Sequence, residues 1–338
     1  MTPMAQPRDD RLVLDMLTGY WKAQALYVAA KLGIADLVKD GPKTSDDLAR
    51  ATGTHAPSLY RLLRALASTG LFGQDDKDRF GLTPQSECLC TGPGSKRSLA
   101  IMNGEEHYRA WGELLYSVQT GKKAFDHFYG KPVFDFLSEH PDKAKLFDEA
   151  MTGIHGAETQ PMINAYDFSG IGTLIDVGGG NGSLLCAVLK QFPTMKGIVY
   201  DLPGVVARAR DTIREAGMAD RCQTIAGSFF EKVPSGGDAY LMRHIIHDWT
   251  DDQCRQILGN FHKAMTPAAR LLIVESVIPS GNQTFFGKFL DLTMLVIPGG
   301  KERTAEEYRK LLASAGFVLS RIVPSAFEIS VIEAKKQT

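Results

Sequence analysis

The segment from Leu174 to Leu185 constrains the fold of this 338-residue chain more than any other. A short apolar run is followed by the turn Gly-Gly-Gly-Asn-Gly, and an apolar run of helical type resumes after it. This order predicts a strand, a tight turn and a helix, which is the start of a βαβ unit. The glycines let the backbone approach a ligand at the carboxyl end of the strand, where open α/β sheets bind cofactors.

The spacing of the glycines separates this turn from the dinucleotide-binding fingerprint G-x-G-x-x-G. Gly178 and Gly180 fit that fingerprint, but Ser183 occupies its sixth position and Gly182 comes one residue too early. The turn, preceded by Asp176, instead resembles motif I of S-adenosylmethionine-dependent methyltransferases. A nucleotide-binding turn or a purely structural turn is the alternative for this motif alone.

A second strand is predicted over residues 197–203 and closes at Asp201. A carboxylate at this position can accept two charge-assisted hydrogen bonds from the hydroxyls of a ribose. Taken alone, Asp201 would be better interpreted as a turn or capping residue before Pro203. Its position one crossover after the glycine turn favours the ribose.

Composition and charge exclude several classes of partner. The chain is 44% hydrophobic and 23% charged, with 38 Lys and Arg against 39 Asp and Glu, so it gives no reason to expect binding to nucleic acid or an anionic membrane. No apolar run approaches the roughly 20 residues of a membrane span. The polar N-terminal residues 1–10 lack a signal core, and the five cysteines lack metal-binding spacing, so we expect a cytoplasmic protein with free thiols.

The first part of the chain has a winged-helix pattern. A helix is predicted over residues 12–38, then a short helix capped at Thr44, a second helix over 56–70, and a hairpin over 71–82. The first helix has a broad apolar face that either packs in a core or forms a swapped dimer. The acidic and basic residues of the wing are balanced, which disfavours DNA binding.

The rest of the chain predicts a helical region followed by an α/β domain. We divide the chain into a winged-helix-like dimerisation domain at 1–98, a helical linker and substrate-lining region at 99–170, and a cofactor-binding domain at 171–338. The predicted strands of the last domain are 173–177, 197–201, 222–226, 238–244, 270–276, 317–323 and 327–334. The short connection between the last two predicts an antiparallel pair at the end of an otherwise parallel sheet.

Five motifs in a fixed order give the chain its resemblance to a known family. They are Leu-Ile-Asp-Val-Gly-Gly-Gly-Asn-Gly, Val-Tyr-Asp-Leu-Pro, Gly-Ser-Phe-Phe, Arg-His-Ile-Ile-His-Asp-Trp and Gly-Gly-Lys-Glu-Arg-Thr. In this order the chain resembles the caffeate-type, class I O-methyltransferases, including bacterial enzymes that tailor secondary metabolites. The resemblance implies an α/β fold with a seven-stranded, mostly parallel, Rossmann-like methyltransferase sheet and an N-terminal all-helical winged-helix dimerisation domain. It also implies an enzyme that uses S-adenosylmethionine to methylate a hydroxyl of an aromatic small molecule. The broad apolar face of residues 12–38, in a domain too small to bury it alone, predicts a homodimer.

The chemistry of such a reaction requires a base. A phenol has a pKa of about 10, and a histidine with a pKa of about 6.5 is the natural group to remove its proton. The family pattern identifies His247 as this base, with Glu275 and Glu302 as the carboxylates that assist it. His244 is interpreted as structural or cofactor-adjacent. Asp248 is expected to point away from His247 and to cap the helix that begins at Thr250.

The resemblance also implies binding residues for cofactor and substrate. The cofactor-binding set is Asp176, Gly178, Gly180, Asp201, Leu202, Ser228, Phe229 and Arg243. Ser228 replaces the Asp of the plant enzymes, and a hydroxyl can still accept a hydrogen bond from the adenine amine. The predicted substrate-lining residues are Met151, His155, Phe286, Phe289 and Met294, although apolar residues of this kind are more often core. No metal ion is expected, because base catalysis makes one unnecessary.

Two other functions are compatible with parts of the sequence. The same fold and cofactor could serve hydroxylation or decarboxylation, but His247 and both glutamates are present, which argues against that change of chemistry. A winged-helix regulator that senses S-adenosylmethionine is the alternative from a different class. The balanced charge of the wing argues against it.

Overall fold

The computed structural model describes residues 10–337 and divides the chain into two compact units. The N-terminal unit comprises the chain up to Tyr108 together with Asp142–Ile154. The C-terminal unit comprises Arg109–Pro141 and the chain from His155 onward. Residues 1–9, which carry most of the argument against export, lie outside the described part. No helix in the described part has the length and apolar character needed to cross a membrane.

The N-terminal unit has the predicted winged-helix pattern, but the single helix predicted over residues 12–38 is divided into two at Gly33, whose φ of 66° interrupts the helix. Its elements are α1 (Arg11–Lys31), α2 (Ile34–Leu37), β1 (Lys43–Thr44), α3 (Ser45–Thr52), α4 (Ala56–Ala67), β2 (Gly73–Gln74), β3 (Arg79–Gly81), α5 (Pro84–Glu87) and α6 (Arg97–Gly104). The predicted cap is present, since the Thr44 hydroxyl accepts a hydrogen bond from the Asp47 amide at 3.2 Å. The predicted hairpin is β2–β3, and β1 joins it in the antiparallel order β1-β3-β2, so this mainly helical unit also contains a small sheet.

The first half of α1 leaves its apolar side chains in solvent. Seven of them are more than half exposed: Leu12, Val13, Leu14, Met16, Leu17, Tyr20 and Trp21. The second half of the helix contributes Ala29 to the buried core of the unit. The predicted apolar face is therefore covered only in part within one chain.

The helical region between the two halves of the sequence is distributed over both units. Its helices are α7 (Glu106–Trp111), α8 (Leu114–Thr120), α9 (Ala124–Tyr129), α10 (Val133–Glu139) and the long α11 (Pro141–Ala165). The beginning of α11 belongs to the N-terminal unit, and its part from His155 onward belongs to the C-terminal unit.

The C-terminal unit is built on the predicted α/β sheet. Its elements are β4 (Thr173–Val177), α12 (Ser183–Gln191), β5 (Lys196–Asp201), α13 (Pro203–Glu215), β6 (Cys222–Ala226), β7 (Ala239–Arg243), α14 (Asp251–Ala264), β8 (Arg270–Ile278), α15 (Gly287–Val296), β9 (Arg303–Thr304), α16 (Ala305–Ser314), β10 (Phe317–Pro324) and β11 (Ile329–Lys336). The strand order is β10-β11-β8-β7-β4-β5-β6, with the central strands parallel and β10–β11 antiparallel, which confirms the predicted topology. The short strand β9, which was not predicted, pairs with the end of β8.

Both faces of this sheet are buried, and this determines where a ligand can bind. One core layer packs around Leu185, Val199 and Leu241, and the other packs around Tyr240 and Phe261. Strands covered on both faces leave their ends as the accessible edge. The carboxyl ends of β4, β5, β7 and β8 lie at one edge because these strands are parallel, and the predicted site residues follow them.

Candidate active site

His247 lies in a short 3-10 helix, Ile246–Asp248, directly after β7. Only 7% of the residue is exposed, and its Nδ1 atom lies 2.6 Å from Oε1 of Glu302. A carboxylate only accepts hydrogen bonds, so Nδ1 carries a proton. In the neutral imidazole the free lone pair is therefore on Nε2, which is the tautomer that a base acting through Nε2 requires.

Glu302 is held in place by its own backbone. Its amide donates to the carboxylate of Asp291 at 2.9 Å, and the residue itself is 3% exposed. Gly300 brings this segment against the His247 loop, since a Cβ at Gly300 would lie 1.8 Å from the carbonyl oxygen of His247. The second carboxylate oxygen of Glu302 is buried and has no hydrogen-bond partner in the described structure.

Glu275 contacts the backbone of the loop. At the end of β8, its Oε1 accepts hydrogen bonds from the amides of Ile245 and His247, both at 3.2 Å. Its Oε2 accepts from the hydroxyl of Tyr308 at 2.7 Å. Glu275 therefore fixes the position of the His247 backbone, while Glu302 fixes the orientation of its ring.

The expectation for Asp248 was wrong. Its Oδ1 lies 3.6 Å from Nε2 of His247, so the carboxylate faces the imidazole. The helix α14 is capped by Thr250, whose hydroxyl accepts from the amide of Gln253 in a capping box. The hydroxyl of Thr250 takes the capping position, which leaves Asp248 free to turn inward.

The carboxylates around His247 change its basicity. Burial alone would lower the pKa of the imidazole, but the neighbouring carboxylates, above all Glu302, outweigh burial and raise this pKa from 6.5 to about 10. Burial raises the pKa of Asp248 to about 6 against the attraction of the imidazole. The imidazole of His247 is therefore strongly basic, with a pKa close to that of an ordinary phenol.

Arg303 holds the loop that contains His247 in place. Its guanidinium is completely buried and donates to the carbonyl oxygens of Ile246 at 3.2 Å and Trp249 at 3.3 Å. It also forms an ion pair with Asp251 at 2.7 Å. Arg303 follows Glu302 directly in the sequence and lies in β9. The pairing of β9 with β8 therefore fixes the positions of both residues.

The glycine turn and Asp201 are joined at the ends of β4 and β5. Gly178, Gly180 and Gly182 have φ values of 70°, 57° and 77°, which favour glycine. The amide of Gly180 donates to one Asp201 oxygen at 2.9 Å, and the amide of Leu202 donates to the other at 2.7 Å. The Asp201 carboxylate therefore lies directly against the turn.

Asp176 has an unsatisfied buried oxygen next to this turn. It is 2% exposed, and its Oδ2 atom finds no hydrogen-bond partner among residues 10–337. Burial raises its pKa to about 7, against the opposing charge of Arg243. A cationic ligand group would restore the missing interaction.

The remaining predicted cofactor residues take two positions. The amide of Phe230 donates to the Ser228 hydroxyl at 3.3 Å, and the Phe229 ring lies near Gly178, where an added Cβ would be 3.8 Å from it. Arg243 reaches α11, where it donates to the carbonyl oxygen of His155 and the hydroxyl of Thr159 at 3.2 and 2.9 Å.

The predicted substrate residues separate into three groups. His155 stacks on His244 with ring centroids 4.2 Å apart, which brings it close to the base. Met294 is 7% exposed in α15, whereas Phe286 and Phe289 are 68% and 62% exposed. Met151 belongs to the N-terminal unit.

Several contributors were not found from the sequence. Tyr308 and Asp291 hold the two glutamates, and Glu158 pairs with His244 at 2.9 Å. These three residues lie on three different helices: Tyr308 on α16, Glu158 on α11 and Asp291 on α15. None of them belongs to a recognisable motif. Arg303 alone had a signal, because it lies inside the motif Gly-Gly-Lys-Glu-Arg-Thr.

Two groups of side chains have the composition of metal ligands. They are His155, Glu158 and His244, and His247, Glu275 and Glu302, with ligand atoms within 4.8 Å of one another. Both groups mix nitrogen and oxygen, unlike the all-oxygen sites that Mg²⁺ and Ca²⁺ prefer. The absence of a functional metal stays a prediction.

Comparison with known proteins gives two family matches. Residues 14–92 match the O-methyltransferase dimerisation domain, and residues 111–318 match the O-methyltransferase domain. The chain is 47% identical to the phenazine O-methyltransferase PhzM of Lysobacter antibioticus, covering 96% of this chain and 95% of that protein. It is 38% identical to the mitomycin biosynthesis 6-O-methyltransferase of Streptomyces lavendulae, covering 98% and 96%. A further relative is the 8-amino-8-demethylriboflavin N,N-dimethyltransferase of Streptomyces davaonensis, with 37% identity covering 93% and 91%.

Solved structures agree with these relatives. The structure of LaPhzM matches with a TM-score of 0.94 and 47% identity, covering 97% of this chain and 99% of that chain. The human N-acetylserotonin methyltransferase, solved in complex with S-adenosylmethionine, matches with a TM-score of 0.90 and 27% identity, covering 99% and 100%.

Proposed function

Because this chain belongs to the S-adenosylmethionine-dependent O-methyltransferase family, we propose that it methylates a hydroxyl of an aromatic small molecule with His247 as the general base. The observation that carries the proposal is the 2.6 Å hydrogen bond between Nδ1 of His247 and Glu302. This bond leaves Nε2 to take the proton of the acceptor hydroxyl. General base catalysis of this kind contributes about 10²–10⁴-fold to the rate.

The base strength of His247 suits a phenol. The pKa of about 10 that its carboxylates give it matches the pKa of about 10 of an ordinary phenol. The proton can therefore pass between acceptor and imidazole at little cost in free energy. The imidazolium that forms is stabilised by Glu302, so the acceptor oxygen is left with the negative charge that makes it nucleophilic.

The residues after β4 and β5 fit the cofactor. The buried, unpartnered oxygen of Asp176 suits the α-ammonium group, and the Asp201 carboxylate suits the ribose hydroxyls. Gly178 lets the turn pack closely against the loop that follows β7, because a Cβ there would lie 2.4 Å from the side chain of Ile245. When bound, S-adenosylmethionine supplies a methyl group on a sulfonium that an acceptor oxygen takes in one SN2 displacement. Ser228, Phe229, Leu202 and Arg243 complete the proposed binding set.

The acceptor is proposed to be an aromatic small molecule of secondary metabolism. The names of the phenazine and mitomycin relatives support this class. His155 and Met294 are the lining residues proposed from the C-terminal unit, and Phe289 is exposed on α15, the helix that also carries Met294. The role of Met151 stays a prediction from the sequence.

A homodimer is proposed as the working form. The match of residues 14–92 to the O-methyltransferase dimerisation domain supports it, and so does the row of exposed apolar side chains at the start of α1. A soluble protein rarely leaves such a contiguous apolar surface uncovered.

Methylation of an amine is the second candidate. The riboflavin-type relative is named as an N,N-dimethyltransferase and is 37% identical to this chain. A neutral aromatic amine is already nucleophilic, so it would depend on His247 far less than a phenol does.

The proposal is tested by incubating the protein with methyl-labelled S-adenosylmethionine and matched aromatic phenols and anilines. Label should enter the phenols, and transfer should survive excess chelator because no step of the proposal uses a metal. Label in the anilines alone would establish the second candidate. Loss of transfer on chelation, with recovery on adding Zn²⁺ or Mg²⁺, would overturn the metal-independent mechanism.

A further inference from the structure

A second histidine–carboxylate pair lies beside the first. Nε2 of His244 lies 2.9 Å from Oε2 of Glu158 on α11, and the side chain of His244 is 7% exposed. The ring centroids of His244 and His247 are 5.2 Å apart. The proposed mechanism uses only one of these two imidazoles.

The remaining ring nitrogen of His244 is unsatisfied. Nδ1 is buried and has no hydrogen-bond partner in the part of the chain that the structure describes. The Glu158 carboxylate accepts the Nε2 proton, so the neutral ring presents Nδ1 as a hydrogen-bond acceptor. A buried acceptor without a donor is unfavourable, and a ligand that donates to it removes this deficit.

The backbone holds this ring in an uncommon conformation. His244 has a φ of 54°, in the left-handed region that residues other than glycine rarely adopt. Its amide donates to the carbonyl oxygen of Val274 at 3.1 Å, and His155 stacks on its ring at an interplanar angle of 15°. Strain of this kind is concentrated at ligand-binding positions, where the surroundings maintain it.

A metal ion is a poor occupant for this group. The lone pairs of an imidazole lie in the ring plane, and the rings of His155 and His244 are nearly parallel, with centroids 4.2 Å apart. Their lone pairs therefore run side by side and do not converge on one point, as coordination requires. An organic ligand that donates one hydrogen bond satisfies Nδ1 without that convergence.

We propose that His244 determines acceptor specificity by accepting a hydrogen bond from an O–H or N–H group next to the methylated hydroxyl. The inference rests on the proposed function, in which His247 binds the reacting hydroxyl. Two heteroatoms on neighbouring ring positions can reach both imidazoles in one pose. The acceptor class that fits is an ortho-diol or an ortho-aminophenol.

The test compares 2,3-dihydroxynaphthalene with 2-naphthol, which differ only in the second hydroxyl. Their affinities for the full-length protein saturated with S-adenosylhomocysteine are measured by calorimetry. The wild-type protein should bind the diol at least about tenfold more tightly, since a hydrogen bond to a buried unsatisfied group is worth about 1–3 kcal/mol.

Two variants separate the role of Nδ1 from the role of the ring. His244→Gly fits the positive φ without strain and removes the acceptor, so its preference for the diol should fall below about threefold. His244→Asn also tolerates this backbone and keeps a polar atom near the position of Nδ1, so it should retain most of the preference. His262→Asn, on α14, is the control and should bind both compounds as the wild type does.

The outcomes distinguish this inference from the proposed function. It is overturned if His244→Gly keeps the full preference, if His244→Asn loses it as completely as His244→Gly, or if the wild type has none. Methyl transfer from labelled S-adenosylmethionine to the same two compounds is measured in parallel. Transfer to neither, with a preference that depends on His244, would refute the function and leave the specificity role standing.

Discussion

The Nδ1 atom of His247 and the Oε1 atom of Glu302 are 2.6 Å apart in a site where both residues are less than one-tenth exposed. Burial by itself would lower the pKa of the imidazole, and the Glu302 carboxylate is the largest of the influences that raise it to about 10. The basicity of His247 therefore depends on a residue 55 positions away in the sequence.

Replacing Glu302 by Gln should shift the pH dependence of methyl transfer to lower pH. Glutamine keeps an acceptor for the Nδ1 proton but removes the charge, so the pKa of His247 falls. In the wild type, the rate should rise toward about pH 10, as the imidazole of His247 loses its proton. In the variant, this rise should come at least about one pH unit lower. The maximal rate of the variant should also be lower, because its base is weaker. Initial rates with saturating cofactor from about pH 6 to pH 10 measure this.

Glu306→Gln is the matched control for this substitution. Glu306 lies on the first turn of α16, and its side chain is 57% exposed in an ion pair with Arg309. Its profile should superimpose on that of the wild type. An unshifted profile for Glu302→Gln would mean that Glu302 does not set the basicity of His247.

Gly300→Ala should abolish most activity without affecting the cofactor residues. The new Cβ would lie 1.8 Å from the carbonyl oxygen of His247 and 2.6 Å from the amide of Trp249, and both are backbone atoms that cannot turn aside. The loop that carries the base must move, and a displacement of about 1 Å costs about 10²-fold in rate. Methyl transfer and the melting temperature should both fall, whereas S-adenosylhomocysteine affinity should stay within a few-fold.

Gly259→Ala serves as the control for an added methyl group. Gly259 lies on α14 with nothing within 4 Å of an ideal Cβ, and alanine favours helix there. This variant should keep wild-type activity and stability. Full activity in Gly300→Ala would show that the loop can accommodate the clash.

Asp201→Ala should weaken S-adenosylmethionine binding by at least about tenfold, because charge-assisted hydrogen bonds are worth about 1.5–3 kcal/mol each. The same carboxylate accepts from the amides of Gly180 and Leu202, so its loss also loosens the glycine turn. Calorimetry on the folded variant measures the affinity. Asp220→Ala, in the turn before β6, is the control, and an unchanged affinity in Asp201→Ala would refute the ribose assignment.

The sequence predicts the strands and motifs that form this site better than it predicts the residues that hold the site residues in place. The strands β4, β5, β7 and β8 are largely apolar runs, so their positions along the chain and the edge of the sheet where the site lies follow from the pattern, whereas their order across the sheet does not. The glycine turn and His247 belong to motifs of adjacent residues. Both the apolar runs and the motifs consist of residues that are adjacent in the sequence. Such features can be predicted from one sequence without knowledge of the fold.

The residues that hold the site residues in place do so through contacts between positions far apart in the sequence. Tyr308 reaches Glu275 across 33 positions, and Glu158 reaches His244 across 86, so only the packing of helices on the sheet reveals them. Asp248 was assigned wrongly because Asp is a good capping residue in general. The hydroxyl of Thr250, two residues later, caps the helix instead, and the sequence Thr-Asp-Asp-Gln already has the spacing of a capping box.

Leu17→Glu should weaken the proposed homodimer. Leu17 is 63% exposed on the apolar side of α1, and a buried carboxylate without a partner is unfavourable at an interface. Light scattering at micromolar concentration should give about twice the chain mass of 37.0 kDa for the wild type and a smaller value for the variant. Val318→Glu, at a strand residue that is 52% exposed, is the control; a wild-type protein that is cleanly monomeric would contradict the proposal.

His247→Ala should lower the rate of methyl transfer to a phenol by about 10²–10⁴-fold at neutral pH. Cofactor affinity should remain nearly intact, because His247 makes no contact with the glycine turn or Asp201 in the hydrogen bonds of the C-terminal unit. The variant leaves Glu302 buried without its partner, so a loss of stability of about 3–5 kcal/mol is expected and folding is checked by circular dichroism.

The pH profile of His247→Ala decides whether the histidine acts as a base. As the pH approaches the acceptor's own pKa of about 10, the phenol ionises in solution and no longer needs a base. Because the wild-type rate also rises toward high pH, the deciding quantity is the ratio of wild-type to variant rate. This ratio should fall as the pH passes the acceptor's pKa, and for an acceptor with a lower pKa it should fall at a correspondingly lower pH. A variant that keeps near wild-type turnover at neutral pH on an ordinary phenol would show that positioning alone suffices. A rate that stays low at every pH would instead assign His247 to binding or orienting the acceptor.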